Sequence, residues 1–436
     1  MTVSKNKIDE NFTDLHQPLN PQQALEASDR CLYCFDAPCI TACPTGIDVP
    51  TFIHQIRSDN AIGAGKTILL ANIMGGTCAR VCPTEVLCEQ ACVLNASHQQ
   101  PVEIGLLQRH AVDKLLQSSN KHPFQREKST GKTIAIIGAG PAGLSCAHAL
   151  ATLGHEVVIF EAKTKAGGLN EYGLAAYKMV DDFAQKEVDF ITKIGGISIK
   201  YQQRLGTDIS LTSLQKSYDT VFIGVGLGKT SLLGLEKETA QGVEDAVDFI
   251  EKIRQTSDKS RIAVGNDVLV IGAGNTAIDA AVQAKRLGAE NVSLVYRRGE
   301  EHMSATAYEI ELARKNGVII KTWLSPSAII ADEHIAQVEF TQTTLKNGKL
   351  VETVFKQTLE CDHLLKAIGQ KLNTSILGDL EINNGKIVVD EHFQSSEKGV
   401  YAGGDAINSG EDLTVQAVAD GKAAALAIDK NIAGEK

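Results

Sequence analysis

The chain of 436 residues has no run of 18 or more uninterrupted apolar residues, so we expect no helix that spans a membrane. It also lacks a basic excess: the formal net charge is −10, which argues against a nucleic-acid or anionic-membrane partner. No solenoid repeat or low-complexity tract is present. The first residues are polar and are not followed by the apolar core of a signal peptide. These absences predict a globular, cytoplasmic protein.

Cysteine, by contrast, is abundant and unevenly placed, because eight of the ten cysteines lie in two tight groups that each contain a Cys-Pro step. The groups are Cys31, Cys34, Cys39 and Cys43, and Cys78, Cys82, Cys88 and Cys92. Spacings of two to five residues allow one loop to place several thiolates around one iron–sulfur cluster. Eight such ligands are enough for two [4Fe-4S] clusters.

Other interpretations of these cysteines remain open. A disulfide framework is typical of short secreted domains, which this chain does not resemble. Two zinc sites would favour paired C-x2-C or histidine ligands, and His54, the histidine between the two groups, fits neither spacing. A zinc-stabilised flavoprotein that senses redox state without catalysis is therefore the alternative from another functional class.

The rest of the chain predicts an α/β protein, because strands alternate with helices of 10 to 15 residues in two separate stretches. We expect a helical iron–sulfur domain with two [4Fe-4S] clusters over residues 1–125. Two Rossmann-like domains follow, the second inserted in the first. The FAD-binding domain comprises residues 130–228 and 367–436, and the NAD(P)-binding domain comprises residues 229–366.

The first dinucleotide motif follows a predicted strand and opens a predicted helix. Its glycines permit a tight turn, close approach of backbone amides to a pyrophosphate, and close packing of helix on strand. Glu161 ends the next predicted strand, where a carboxylate accepts hydrogen bonds from a ribose hydroxyl. The predicted dinucleotide-binding residues of the motif are Gly138, Gly140, Pro141, Ala142 and Gly143.

The second motif has alanine in the third glycine position, and we predict that Gly272, Gly274, Asn275 and Thr276 contact a pyrophosphate. After its second strand the chain has Arg297 and Arg298 where an NAD-binding domain has an acidic residue. Guanidinium groups bind a 2′-phosphate, which favours NADP(H) over NAD(H). A solvated pair of arginines is the alternative.

Further segments complete a flavoprotein pattern. Gly168 is expected in a loop near the flavin, and Gly404 and Asp405 follow a predicted strand where Asp405 reaches a ribityl hydroxyl or a phosphate-bound water. Gln416 is expected at the start of a helix that faces the flavin ring. Lys178, in contrast, is predicted to be an exposed lysine.

The chain resembles, over nearly its full length, the flavin-containing electron-input module of dihydropyrimidine dehydrogenase and of the bacterial glutamate synthase small subunit. In that family FAD takes a hydride from NAD(P)H, and two four-iron clusters pass the electrons to a partner's active site. The matching segments are Cys31–Cys39, Cys82–Cys88, Gly138–Gly143, Gly272–Asp279 and Ala402–Asp405.

The resemblance also implies a ligand set for each cluster. It assigns one cluster to Cys31, Cys34, Cys39 and Cys92, and the other to Cys43, Cys82, Cys88 and Gln108. A glutamine at this place, together with the step from Asp36 to Pro38, is typical of the pyrimidine branch, whereas the glutamate synthase branch tends to have a glutamate. Cys78 is the rival eighth ligand.

The resemblance finally implies a partner. No further ferredoxin-like cysteine run and no barrel domain follow Asp405. The chain is therefore expected to act as a small subunit that needs a larger catalytic subunit containing FMN and iron–sulfur clusters. That subunit would reduce uracil or thymine. A glutamate synthase large subunit is the alternative partner.

Overall fold

The computed structural model describes residues 4–118 and 121–434. The α-helices are α1 (Lys5–Asn11), α2 (Pro21–Ser28), α3 (Pro38–Thr41), α4 (Val49–Arg57), α5 (Ala61–Ala71), α6 (Gly75–Val81), α7 (Ile104–Ser118), α8 (Pro141–Thr152), α9 (Leu169–Tyr172), α10 (Phe183–Thr192), α11 (Leu211–Ser217), α12 (Ala246–Gln255), α13 (Asn275–Leu287), α14 (Ala307–Lys315) and α15 (Thr414–Gly434). Short 3-10 helices span Thr84–Val86, Val93–Ser97, Lys259–Arg261, Glu300–His302, Thr374–Ile376 and Gly404–Ala406.

The strands are β1 (Thr133–Ile137), β2 (Glu156–Glu161), β3 (Ile197–Tyr201), β4 (Thr220–Ile223), β5 (Lys229–Thr230), β6 (Val243–Asp245), β7 (Asp267–Gly272), β8 (Asn291–Val295), β9 (Ile319–Lys321), β10 (Leu324–Ala331), β11 (Ile335–Lys346), β12 (Lys349–Glu360), β13 (His363–Ala367), β14 (Gln370–Lys371), β15 (Ile382–Asn383), β16 (Lys386–Ile387) and β17 (Val400–Ala402). These elements fall into two units. The first unit comprises residues 16–171, 181–228 and 372–434; we call it the cluster–flavin unit, after the cofactors that the sequence predicts for it. The second comprises residues 4–15, 172–180 and 229–371; we call it the nicotinamide unit, after its predicted ligand.

A five-stranded parallel sheet organises the cluster–flavin unit, with strand order β17-β4-β1-β2-β3. The central strand β1 is apolar from Ile134 to Ile137 and fully buried there, as a strand covered on both faces must be. The chain order reverses beside β1, since β2 lies on one side and β4 on the other. Ligands of such sheets bind where the order reverses, at the carboxyl ends of the strands.

The cysteine-bearing region of this unit consists of short helices whose starts are capped by side chains. Asn60 accepts a hydrogen bond from the Gly63 backbone N–H at 2.9 Å and begins helix α5. Helices α4, α5 and α7 bury Phe52, Ile68 and Leu107 in a core that continues into Ile134 of the flavin-binding sheet. The cluster-bearing helices and the sheet therefore share one hydrophobic core.

The nicotinamide unit contains a second five-stranded parallel sheet, in the order β6-β13-β7-β8-β9. Helix α1 belongs to this unit, because Ile8 and Phe12 are buried in the same core as Phe249 and Ile253. The expected iron–sulfur domain began at residue 1, whereas the first residues described here pack with the nicotinamide unit. Residues 172–180 also belong to it, although they lie far from it in the sequence.

The same unit carries a three-stranded antiparallel sheet, β10-β11-β12, which the sequence patterns did not predict. Its buried face, with Ile329, Val338 and Phe340, packs against Leu269 of β7. Strand β12 is mostly exposed along its length, so its hydrophobic periodicity is weak.

None of the helices described here combines the length and the apolar character that a membrane crossing requires.

Candidate functional site: two thiolate groups and two dinucleotide loops

Four cysteines of the cluster–flavin unit line one pocket. Cys31 and Cys34 come from the loop before α3, Cys39 lies in α3, and Cys92 precedes the 3-10 helix at Val93. Apolar side chains complete the wall of the pocket: Val49, Ile53, Val93, Leu94, Val102 and Ile104. These are the four residues that the family resemblance assigns to one cluster, and the fold brings them together although Cys92 is distant in the sequence.

The electrostatics of this pocket follow from crowded thiols. Burial, together with the neighbouring thiolates of Cys31, Cys92 and Cys34, raises the pKa of Cys39 to about 11. Burial likewise raises the pKa of Cys31, with Cys34 and Cys92 adding to the rise. Four thiolates in such a pocket repel one another unless a cationic centre binds them. The donor set thus fits an iron–sulfur cluster.

The second group consists of Cys43, Cys78, Cys82 and Cys88. A hydrogen bond with Cys78 and then burial raise the pKa of the Cys82 thiol well above its usual value, and Cys88 and Cys43 add to the rise. Burial also raises the pKa of Cys88, followed by the charges of Glu89 and Cys43. These thiols therefore lie near one another, and three of them, Cys43, Cys82 and Cys88, belong to the second ligand set that the family resemblance implies.

Both candidates for the eighth ligand are buried on neighbouring helices, Cys78 on α6 and Gln108 on α7. Gln108 is 7% exposed on α7, and its Nε2 donates to the Gly75 carbonyl of α6 at 2.7 Å, which leaves Oε1 as an acceptor. Cys78 is 3% exposed, and its Sγ accepts a hydrogen bond from Asn72 Nδ2 at 3.2 Å. In the sequence, the only indication that Cys78 lies close to Cys82 is their four-residue spacing.

Helix α6, which carries Cys78, is tied to the flavin-binding part of the same unit. The Thr77 backbone N–H donates to Glu187 Oε1 at 3.0 Å, and the Thr77 hydroxyl contacts the other carboxylate oxygen. Burial raises the pKa of Glu187 to about 7, although the Thr77 hydrogen bonds oppose that rise. Arg80 of the same helix lies over the Phe183 ring at 3.5 Å and pairs with Asp113 at 2.8 Å.

The first dinucleotide loop is shaped for close contact with an anion. Gly138 has φ of 97°, and a Cβ at this position would lie 2.5 Å from the Gly224 carbonyl oxygen. A Cβ at Gly143 would lie 2.0 Å from the Gly138 carbonyl oxygen, so helix and strand approach as the motif predicts. Helix α8 begins after Gly140 at Pro141 and Ala142 with no side-chain cap, which leaves its first amides available to a phosphate.

Loops on either side of this motif close around it. Glu161 Oε2 accepts from the Ala139 backbone N–H at 2.8 Å, and its Oε1 accepts from Lys163 N at 2.8 Å. The carboxylate thus supports the glycine turn itself and keeps further lone pairs for a ribose hydroxyl. Gly168 has φ of 54°, and a Cβ there would lie 2.7 Å from Gly140 Cα. The flavin-side loop therefore passes directly over the motif.

The carboxyl-terminal segment places Gly404, Asp405 and Gln416 next to one another. Asp420, which the sequence patterns did not single out, organises them: its carboxylate accepts from the Gly404 N–H at 3.0 Å and from Gln416 Nε2 at 2.7 Å. Burial raises the pKa of Asp405 to about 6, and the nearby Asp412 carboxylate adds to that rise. The four-residue spacing from Gln416 to Asp420 on helix α15 was the signal that could have identified Asp420.

The second dinucleotide loop has the same geometry in the nicotinamide unit. Gly272 has φ of 147°, and a Cβ would lie 2.2 Å from the Ala367 carbonyl oxygen. Helix α13 begins after Gly274 and also has no side-chain cap. Asn275 Oδ1 accepts from the Thr306 backbone N–H at 3.3 Å, which supports the loop, and Thr276 occupies the first turn of the helix.

Arg297 and Arg298 follow β8 at the carboxyl edge of the sheet, with Arg297 exposed and Arg298 half-buried. Their backbone is fixed by neighbouring strands: the Arg298 carbonyl accepts from Trp323 N at 3.1 Å, and the Arg297 carbonyl accepts from Thr343 Oγ1 at 2.6 Å. Both arginine side chains therefore extend from a turn whose backbone is held by hydrogen bonds.

The prediction that Lys178 is exposed is wrong. Lys178 is 7% exposed, and its Nζ lies 2.7 Å from Asp279 Oδ1 of α13 and 2.6 Å from Glu309 Oε1 of α14. Burial alone would lower the pKa of Lys178, but the two carboxylates together hold it above its usual value. The sequence neighbours of Lys178, Tyr177 and Met179, do not indicate that its partners are Asp279 and Glu309, which lie much later in the chain.

All ten cysteines are free thiols, and Cys146 and Cys361 are buried apart from the two groups. Within the described ranges, no three or more His, Cys, Asp or Glu side chains are arranged to hold a single metal ion.

The two parallel sheets with their dinucleotide loops, joined to a region that presents two thiolate groups, define the class of the protein. It is a pyridine-nucleotide oxidoreductase that uses FAD and [4Fe-4S] clusters. Residues 132–421 match the pyridine nucleotide-disulphide oxidoreductase family. Residues 8–120 match the family described as dihydropyrimidine dehydrogenase domain II, 4Fe-4S cluster. The cofactors predicted from the cysteines and the glycine motifs are thus confirmed, and iron–sulfur ligation is favoured over zinc.

The chain belongs to the family of the glutamate synthase small chain and the dihydropyrimidine dehydrogenase PreT subunit, as the sequence motifs indicated. It is 32% identical to the glutamate synthase [NADPH] small chain of Escherichia coli K12, over 95% of this chain and 92% of that protein. It is 34% identical to the NAD-dependent dihydropyrimidine dehydrogenase subunit PreT of Salmonella typhimurium, over 96% and 97%. The PreT subunit of E. coli K12 is also 34% identical, over 94% and 95%.

Solved structures confirm the predicted α/β fold. Mycobacterium tuberculosis FprA in complex with NADPH matches 70% of this chain and 85% of its own, with a TM-score of 0.59 and 17% identity. Thioredoxin reductase of T. acidophilum matches 69% of this chain and 99% of its own, with a TM-score of 0.55 and 21% identity.

Proposed function

We propose that the chain passes electrons from NAD(P)H, through FAD and two [4Fe-4S] clusters, to a larger catalytic subunit in the cytoplasm. That subunit contains FMN and iron–sulfur clusters and reduces uracil or thymine to the dihydropyrimidine. The free state of all ten cysteines supports a reducing compartment. The names of the relatives support a subunit role, since each is called a chain or a subunit of an enzyme.

The observation that carries this proposal is the pocket lined by Cys31, Cys34, Cys39 and Cys92. It lies in the same unit as the dinucleotide loop of α8, and the two share one hydrophobic core. A flavin site and a thiolate cluster site within one packed unit suit electron transfer. A reductase that transfers electrons only between its flavin and a nicotinamide dinucleotide would not need the cysteine region.

Each part of the site has a separate task. Bound FAD would accept a hydride from the nicotinamide, and the clusters would carry the electrons onward one at a time. We assign FAD to residues 130–228 and 367–436, where the uncapped amides of α8 face a pyrophosphate. We assign the nicotinamide dinucleotide to residues 229–366, where α13 offers the same uncapped start. Arg297 and Arg298 would bind the 2′-phosphate of NADPH.

The pyrimidine branch is favoured by two features of this chain. Gln108 of α7 donates through Nε2 to the Gly75 carbonyl of α6, the helix that carries Cys78, and this leaves its Oε1 as an acceptor for the second cluster. The step from Asp36 to Pro38 between Cys34 and Cys39 is the second feature. The relatives at 34% identity are subunits named for dihydropyrimidine dehydrogenase.

A glutamate synthase small subunit is the second candidate, because the relative of that name is matched over 92% of its length. The two candidates differ in the partner rather than in this chain's own chemistry. Both require the same flavin and cluster sites.

Reconstitution with both partners tests the proposal. The anaerobically purified chain is mixed with the FMN-containing dihydropyrimidine dehydrogenase subunit or with the glutamate synthase large subunit. We expect NAD(P)H-dependent reduction of uracil with the first and no glutamate formation with the second. Glutamate formation alone would assign the chain to the other branch. Absence of four-iron signals in the EPR spectrum of the reduced chain would reject both.

A further inference from the structure

Two large apolar side chains are exposed on the loop that carries the first thiolates. Phe35 is fully exposed at 106%, and Leu32 is 62% exposed. Both belong to the segment from Cys31 to Cys39, which supplies three of the four cysteines of the first pocket. Scattered single apolar residues on a surface are ordinary, but two large exposed ones on a loop that supplies three thiolates are not.

Backbone geometry explains why these side chains point outward. Tyr33 has φ of 52°, in the left-handed region, which is unfavourable for a bulky residue. The turn allows Cys31 and Cys34 to face one pocket, and the Tyr33 ring packs edge-on against His54 at 5.5 Å. Leu32, between them, both lines the pocket and faces solvent. The loop is therefore the wall that separates the first cluster site from the surroundings.

The loop itself carries little charge, although the half-exposed ion pair of Asp29 and Arg57, at 2.6 Å, lies beside Tyr33. Asp36 is the single charged residue from Cys31 to Cys43, in a chain of which 22% is charged. The buried centres of protein interfaces are poor in charged residues and rich in aromatic ones. Transient partners that meet by electrostatic steering use charged surfaces instead.

We propose that Leu32 and Phe35 form the docking surface on which a stably bound, electron-accepting subunit covers the first cluster pocket. The inference rests on the proposed function, which requires an acceptor outside the chain. The low charge selects the kind of occupant: a subunit that buries these side chains in an apolar recess, rather than a diffusing carrier held by ion pairs. Electrons would then leave one at a time through the loop that already ligates the cluster.

The chain offers a matched control. Phe355 of β12 is also a surface phenylalanine, 67% exposed, but it belongs to the nicotinamide unit, whereas the thiolates belong to the cluster–flavin unit. Phe35→Ser and Phe355→Ser are compared with the unmodified chain, and Phe35→Leu tests whether an apolar replacement suffices. Iron, sulfide and flavin contents and the EPR spectrum establish that the sites are intact. NAD(P)H-dependent ferricyanide reduction then establishes that the flavin is competent.

Affinity for the FMN-containing dihydropyrimidine dehydrogenase subunit is then measured by calorimetry at low and high salt. We expect Phe35→Ser to weaken binding at least tenfold with ferricyanide reduction unchanged, Phe35→Leu to restore most of it, and Phe355→Ser to have no effect. Affinity should change little between 50 mM and 500 mM salt. Equal affinity of Phe35→Ser and the unmodified chain would overturn the inference, as would a steep loss of affinity with salt, which is the mark of a transient carrier.

Hydrogen exchange on the unmodified complex covers the case in which Phe35→Ser loses its cluster. The amides of residues 32–37 should be protected on complex formation, and unchanged exchange there would also overturn the inference. If the glutamate synthase large subunit binds and protects this loop instead, the pyrimidine function fails while the docking surface stands. The two failures are thereby distinguished.

Discussion

Replacing Lys178 by methionine removes the cation from a buried cluster of charges in the nicotinamide unit. Lys178 contacts Asp279 at 2.7 Å and Glu309 at 2.6 Å, and the three side chains are 8%, 6% and 12% exposed. Methionine has a similar length and no charge. The variant Lys178→Met therefore leaves two carboxylates in a poorly solvated site without the ammonium group that compensates them.

The expected cost is large. Removing one partner of a buried ion pair costs about 3–5 kcal/mol of the free energy of unfolding, because the remaining charge stays desolvated. Here two like charges remain and repel each other, which adds to the loss. The double variant Lys178→Met/Asp279→Asn should recover part of the loss, since one carboxylate is then neutral.

Urea unfolding, followed by tryptophan fluorescence, measures the unfolding of the unit that contains Lys178. The chain has one tryptophan, Trp323, and it belongs to the nicotinamide unit. The control is Lys7→Met in the same unit: Lys7 pairs with Glu10 at 3.2 Å, but the two side chains are 61% and 68% exposed. Such exposed pairs contribute about 0–1 kcal/mol. A loss of less than about 1 kcal/mol for Lys178→Met, equal to the control, would refute the electrostatic argument.

Three further outcomes are expected. Gln108→Ala should alter the EPR signal of one of the two clusters. Cys78→Ser, in contrast, should leave the iron content near that of the unmodified chain. If Cys78→Ser disturbs a cluster and Gln108→Ala does not, Cys78 is the ligand. Alanine at both Arg297 and Arg298 should raise the KM for NADPH about tenfold or more, while the KM for NADH changes little. The reason is that charge-assisted hydrogen bonds of about 1.5–3 kcal/mol are lost only for NADPH, which carries the 2′-phosphate. Equal effects on the two KM values would show that the arginines do not bind this phosphate. Glu187 has its folded-state pKa raised from 4.5 to about 7, so the native state binds the extra proton. Unfolding free energy should then fall by roughly 3 kcal/mol as the pH rises from 4.5 to 7, and Glu187→Gln should lack that fall in denaturation series at fixed pH; an identical slope in the variant would contradict this.

The parts of the fold that could be predicted from sequence are those with strong local rules. Strand β1 lies directly before the first glycine motif and strand β2 ends at Glu161, as the sequence predicted, because the buried strands of a parallel sheet are mostly apolar. The turns at Gly138 and Gly272 have positive φ, as their motifs require. Helix α5 begins at Ala61 directly after Asn60, a residue type that commonly caps helices.

The parts that could not be predicted depend on contacts between distant residues. Nothing near Lys178 in the sequence reveals Asp279 or Glu309, which lie about 100 and 130 residues later. The membership of helix α1 in the nicotinamide unit depends on the packing of Ile8 and Phe12 with Phe249. Such tertiary contacts leave no periodic signal, and they also override the simple order of domains along the chain.

The division of the chain into units agrees with the different demands of its two transfers. Single-electron transfer needs a fixed separation between flavin and clusters, and the cluster–flavin unit meets that need with one continuous core. The contacts of Thr77 with Glu187, and of Lys422 Nζ with the Leu70 carbonyl at 2.8 Å, join the cysteine region to the flavin-binding part within this unit. The second dinucleotide loop, to which we propose the nicotinamide dinucleotide binds, belongs to the other unit, as suits a substrate that must enter and leave in every cycle. Interruption of the shared core should therefore impair flow to the clusters before it impairs hydride uptake.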